Sequence, residues 1–195
     1  MTLRRIVIAD DEPEVLAVLA ELLESAGHKV VGKAATGDEV VELCRLLEPD
    51  ILFLDVRMPG MDGLDAAKKI MANRPLPIIM CTAYCDNELV ESASKAGVYA
   101  YIVKPFRRSD LLPTIDVALS RFKESKLLKG EVETLKQKLE DRKYIEQAKG
   151  IVMRTRGLLE DEAHRFLQLE SQRQSRSLPE LAKAIVLAEQ ALSPK

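Results

Sequence analysis

The chain has 195 residues, enough for one α/β domain and a smaller second unit. Its 29 Lys and Arg nearly balance its 31 Asp and Glu, for a formal net charge of -2, which excludes a protein that holds nucleic acid over its whole surface by charge. No apolar run reaches bilayer length, and no charged start is followed by an apolar stretch and a small-residue cleavage site. The expectation is therefore a cytoplasmic protein with no membrane partner.

Arg5-Ile6-Val7-Ile8-Ala9 is a short apolar run of strand length, closed by Asp10-Asp11-Glu12. Pro13 suits the first turn of a helix, and Val15, Leu16, Leu19, Leu22 and Leu23 follow at helical spacing up to Gly27. Residues 29–34 form a second, weaker strand pattern. Gly37-Asp38 opens a helix with Val40, Val41, Leu43, Cys44 and Leu47 on its apolar side. Pro49-Asp50 stops it and introduces Ile51-Leu52-Phe53-Leu54, an apolar run that ends in Asp55 and is followed by a Pro59-Gly60 turn. A helix over 64–71, a strand over 77–82, a short helix over 87–96 and a strand over 99–103 complete the alternation. Repeated βα units call for a parallel sheet with helices on both faces. Cys44, Cys81 and Cys85 form an odd set without metal spacing and read as reduced thiols. His28 and His164 stand alone.

Ligands of an open α/β sheet bind outside the carboxyl ends of its strands. Asp10-Asp11, Asp55 and Lys104-Pro105 all close apolar runs. If these strands are neighbours, three carboxylates and one ammonium meet at one rim. Crowded carboxylates raise each other's pKa, and a hard cation such as Mg²⁺ removes that cost. Together with Thr82-Ala83, these residues resemble the receiver domain of bacterial two-component response regulators, over roughly residues 3–124. The resemblance implies a flavodoxin-like, doubly wound, five-stranded sheet in the order 2-1-3-4-5. It implies Asp55 as the phospho-acceptor, supplied by a sensor histidine kinase. It places Mg²⁺ on Asp11, Asp55 and the backbone carbonyl of Arg57, with Asp10 acting through water. It makes Thr82, Ala83 and Lys104 the phosphoryl-binding group, Tyr101 a rotamer switch, and Lys104-Pro105 a cis bond. A receiver assists its own phosphoryl transfer and dephosphorylation but is otherwise no enzyme.

From Ser109 onward no strand pattern recurs, and one helix runs far past the receiver's expected end. Leu128, Val132, Leu135 and Leu139 recur at spacings of four, three and four, an a/d seam. Either this stripe packs on its own domain or it pairs with a second copy of the chain; the pairing reading gives a homodimer when phosphorylated. Arg156-Gly157 ends the helix. Glu160-Asp161-Glu162 place negative charge at the start of the next. Ser177-Leu178-Pro179-Glu180 is a capping box with Pro in the first turn, followed by Leu181, Ile185, Ala188 and Leu192 on one face. The expected organisation is a receiver over 1–124, a coiled-coil linker over 125–141 and a three-helix unit over 142–195.

The run Tyr144-Ile145-Glu146-Gln147-Ala148-Lys149-Gly150-Ile151-Val152-Met153, with Glu162-Ala163, Phe166, Leu181-Ala182 and Ile185-Val186, resembles the ANTAR domain over about residues 130–190. Leu159 stands where that family often has Ser or Thr. The resemblance implies an RNA-binding antitermination module acting on stem-loops in nascent transcripts. From 142 to 195, ten Lys and Arg stand against seven Asp and Glu, a net of +3. Arg142, Lys143, Lys149, Arg154, Arg173 and Arg176 are the candidate RNA contacts, and a solvated helical face explains the same charges. A DNA-binding helix-turn-helix is an alternative output, although the connection over 171–177 is longer than the ~3–4-residue turn of that motif. A tail that binds only protein is the other.

Overall fold

The computed structural model describes residues 2–83 and 96–192. Cys85 and almost all of the helix expected over 87–96 lie outside the described residues, as does the side chain of Leu192. The chain divides into two compact units, Met1–Lys126 and Leu127–Lys195.

In the first unit, strands β1 (Arg5–Ala9), β2 (Lys29–Ala34), β3 (Ile51–Asp55), β4 (Ile78–Thr82) and β5 (Ala100–Val103) form one sheet in the order β2-β1-β3-β4-β5, every pair parallel. Helices α1 (Pro13–Ser25), α2 (Gly37–Leu47) and α3 (Gly63–Asn73) connect the first four strands. Both sheet faces are covered, so the strands read as continuous apolar runs rather than alternating ones. The period-2 alternation instead sorts residues between two cores. Val7, Leu52, Leu54, Ile78 and Met80 pack with Val40 and Cys44 of α2 and Ala66, Ala67 and Ile70 of α3. Ile6, Ile8, Phe53, Ile79, Cys81 and Ile102 pack with Leu19 and Leu23 of α1 and with Leu111, Ile115 and Ala118. Burial pushes the Cys44 thiol up to about 12 and raises Cys81 as well, so both stay protonated and inert.

The last three residues of the second core lie on α4, a single helix from Arg108 to Arg156. Pro113 is its only proline, and the next in the chain is Pro179. Gly130 does not interrupt it. Gly157 stops it with φ 66° and donates its N–H to Met153 O at 3.0 Å, a left-handed C-terminal cap.

The second unit contains the C-terminal part of α4, α5 (Glu160–Arg173) and α6 (Leu178–Leu192). Its core is Ala148 and Val152 of α4, Ala163 and Leu167 of α5, and Leu181, Ala182 and Val186 of α6. Ala188, expected on the apolar face of α6, is exposed; the buried stripe runs through Ala182 and Val186 instead. Leu159 has no oxygen to cap α5, but Glu162 reaches back to accept from its N–H at 2.9 Å. Glu180 does the same for Ser177 N–H at 3.0 Å. Among the described residues no helix is long and apolar enough to cross a membrane.

Candidate functional site

Register brings the strand ends together. Ala9 of β1 lies beside Leu54 of β3, Asp55 beside Cys81 of β4, and Thr82 beside Val103 of β5. One residue past these pairs, Asp10 and Lys104 stand on either side of Asp55. Lys104 Nζ lies 2.6 Å from Asp10 Oδ2 and 2.8 Å from Asp55 Oδ1, and 3.8 Å from Glu12 Oε1. Asp10 is 1% exposed and Asp55 6%. The other Asp55 oxygen, Oδ2, accepts from the Arg57 N–H at 2.7 Å, and Asp10 Oδ1 accepts from the Glu12 N–H at 3.1 Å. Asp11 is exposed directly after Asp10.

Burial raises the pKa of Asp10, and the Lys104 hydrogen bond opposes that rise only in part. Burial alone would lower Lys104, yet its hydrogen bonds to Asp10 and Asp55 outweigh it and hold the ammonium above its ordinary value. Lys104 is thus a fixed positive charge. It is one cation against Asp10, Asp11, Glu12 and Asp55.

Thr82 is buried at the end of β4 and Ala83 exposed just after it; the Lys104 N–H donates to Thr82 O at 2.8 Å. The Lys104–Pro105 bond is cis. Tyr101 is half-buried on β5 and packs against the core that includes α3.

Gly63 secures the other side of the site. It opens α3 under the Asp62 cap, whose carboxylate accepts from the Asp65 N–H at 2.8 Å, and its own N–H donates to Val56 O at 2.9 Å. A Cβ at Gly63 would strike the backbone carbonyl oxygen of Asp55. Gly63→Ala should therefore cost about 1–3 kcal/mol in stability and displace Asp55. Thermal unfolding reads this as a lower Tm, and a Tm equal to wild type would contradict the packing described.

The donor set fits a hard divalent cation. Asp10 Oδ2 is wholly buried and has no partner other than the ammonium, and the carboxylates outnumber the positive charge around them. Among the described residues, no three Asp, Glu, His or Cys side chains are already drawn into a ligand set; the carboxylates paired with Lys104 are Asp10, Glu12 and Asp55.

In the second unit the candidate RNA contacts separate into two kinds. Arg142, Lys143, Arg154, Arg173 and Arg176 are exposed; Arg154 approaches Glu189 at 3.6 Å. Lys149 is buried and its Nζ lies 2.8 Å from both Glu146 and Glu160. Hydrogen bonds that Lys149 donates to Glu146 and Glu160 raise its pKa. Glu160 is the first residue of α5, so Lys149 ties α4 to the start of the next helix. Sequence reading missed this role, because Glu160 lies eleven residues away along the chain. Glu12 was likewise unassigned, although its place beside Asp10-Asp11 was a signal. Leu128, Val132, Leu135 and Leu139 are 54%, 50%, 59% and 69% exposed on α4.

Residues 6–116 match the response regulator receiver domain family and residues 133–186 the ANTAR domain family. The transcriptional regulatory protein PdtaR of Mycobacterium tuberculosis is 43% identical over 183 residues, covering 94% of this chain and 89% of the relative. Chemotaxis protein CheY of Thermotoga maritima is 39% identical over 114 residues, 58% of this chain and 95% of that protein. Among solved structures, the receiver domain of a modulated diguanylate cyclase from Desulfovibrio desulfuricans aligns with a TM-score of 0.59 at 31% identity, over 64% of this chain and 99% of its own. A CheX–CheY–BeF3–Mg²⁺ complex from Borrelia burgdorferi aligns at 0.54 and 30%, over 57% and 85%. The two matched families, found in this order on one chain, and a relative matched along nearly its whole length assign the protein: it belongs to the response regulators that carry a receiver domain followed by an ANTAR output domain.

Proposed function

We propose that this response regulator is a phosphorylation-switched antiterminator that binds stem-loops in nascent RNA. A sensor histidine kinase supplies the phosphoryl group. An Asp55 carboxylate oxygen forms the new bond to phosphorus while the bond from phosphorus to the donor breaks. Catalysis of such a transfer is mostly positioning and charge neutralisation. Lys104 contributes a fixed cation beside the attacking oxygen, and the Arg57 N–H holds the other Asp55 oxygen in place. Asp11, Asp55 and the Arg57 carbonyl would hold Mg²⁺, with Asp10 acting through water. When bound, Mg²⁺ supplies neutralisation of the phosphoryl oxygens. Thr82 and Ala83 receive the phosphoryl group at the end of β4, and Tyr101 responds by changing rotamer.

The output is RNA binding. The observation that carries this reading is the ANTAR match over residues 133–186 on a chain whose receiver gathers Asp10, Lys104 and Asp55 at its strand ends. The solvent-facing Leu128–Leu139 seam supports pairing of two copies, which sets two small, mildly basic units side by side. Each alone makes few phosphate contacts. Joined, the second contact becomes intramolecular, with avidity gains of ~10²–10⁴ where the spacing fits. Arg142, Lys143, Arg154, Arg173 and Arg176 are the proposed backbone contacts, while Lys149 serves the site by holding α5 against α4. A mobility-shift comparison tests the output. Paired stem-loop RNA should bind and duplex DNA of equal length should not; preference for the duplex would favour a DNA-binding output, and binding to neither a protein-only one.

A further inference from the structure

The seam fixes a heptad register on α4 that reaches beyond its apolar positions. With Val132 and Leu139 at a, Leu128 and Leu135 fall at d, Lys129, Lys136 and Lys143 at e, and Glu131 and Lys138 at g. Val132, β-branched at a between Leu128 and Leu135 at d, is the combination that favours two strands; the other a residue of the seam is Leu139. In a parallel pair each g residue faces the e residue five positions on in the other copy. Glu131 then meets the second copy's Lys136, and the sequence repeats that pairing one heptad earlier with Glu124 and Lys129. An antiparallel pair would set the e lysines against one another. Charge complementarity therefore selects a second copy of this chain, parallel and in register.

The last heptad breaks this pattern. Lys138 at g faces Lys143 at e, and the d position there is Arg142. Three cations from each copy, six in all, crowd the exit of the coil. All three side chains are exposed. The ion pairs of this unit among the described residues are those of Lys149 with Glu146 and Glu160 and of Arg154 with Glu189; none involves Lys138, Arg142 or Lys143. Glu146, the next a position, is already taken by Lys149. The nearby Asp141 accepts from Gln137 at 2.8 Å.

We propose that pairing of two copies creates an RNA-phosphate site at the C-terminal end of the coil, built from Lys138, Arg142 and Lys143 of both chains. This rests on the RNA-binding reading above. Like-charge repulsion holds the last heptad open in the free dimer, and a phosphodiester backbone laid across it neutralises the six cations and lets it close. RNA binding and pairing then strengthen each other by the same factor. The site also ties the RNA to the point from which the two output units diverge.

Lys138→Glu in the full chain, treated with acetyl phosphate and Mg²⁺, separates the two effects. It turns two repulsive contacts attractive, so the RNA-free dimer should tighten about tenfold by sedimentation, as expected for two exposed pairs reversed in sign. Binding to a synthetic RNA of two adjacent stem-loops should weaken. The slope of log affinity against log salt should fall by about 1.5, because two RNA phosphates, one for each copy's Lys138, are no longer neutralised. Lys136→Glu is the companion: it breaks the Glu131 pairing and should loosen the dimer about tenfold. A Lys138→Glu dimer that loosens instead would overturn the parallel register. RNA affinity and salt slope equal to wild type would overturn the phosphate site while leaving the RNA reading intact. Wild type that binds no stem-loop RNA would remove the broader reading, and this site with it.

Discussion

Asp55→Asn abolishes phosphoryl uptake. With Mg²⁺ and a small acyl-phosphate donor, the wild-type chain gains one phosphoryl group by intact mass, and the variant gains none. The amide has no anionic oxygen to form an acyl phosphate. The neighbouring carboxylates do not substitute for it. Asp10 is 1% exposed and its Oδ2 is wholly buried against Lys104 at 2.6 Å, so a phosphodonor has less access to it than to Asp55. Lys104→Ala should still take up label, more slowly, because the cation neutralises charge without forming a bond. Equal labelling of Asp55→Asn and wild type would place the acceptor elsewhere.

Leu135→Lys breaks the dimer. Leu135 is the central d residue of a seam whose four members are at least half exposed on α4. Truncating or charging a buried leucine costs about 2–5 kcal/mol, and the two-fold pair carries the change twice. The dissociation constant should rise more than about a hundredfold, leaving monomer at micromolar concentration. Light scattering on the phosphorylated protein reads the change directly. Wild type that is monomeric when phosphorylated would rule out the seam as the interface.

Much of the first unit was legible in the sequence because its strands are buried on both faces. Ile6 to Ala9, Ile51 to Leu54 and Ile78 to Cys81 have no solvent-facing positions to blur the runs. Each run ends at a buried polar residue of the rim, Asp10, Asp55 and Thr82. Their convergence needed adjacency, which the register supplies. The second unit was less legible. On α6 the helical spacing fits more than one stripe, and packing against Leu167 and Val152 selects Ala182 and Val186 over Ala188. Lys149 stood out by its place in the signature run, but a lysine's partners depend on which helix folds against it. Its two carboxylates come from different helices, and one of them starts α5. Gly130 has a low helix propensity, yet α4 continues through it, with Thr134 Oγ1 bonded to its carbonyl at 2.8 Å.

Phosphorylation at Asp55 should control RNA binding by the C-terminal unit. The most direct test is a titration of two-stem-loop RNA at near-physiological salt with wild type, with and without acetyl phosphate, and with Asp55→Asn under both conditions. Phosphorylated wild type alone should bind tightly, with affinity at least ~10²-fold above the other three samples. Affinity that is the same in all four samples, or no better for stem-loops than for a scrambled RNA of equal length, would contradict it.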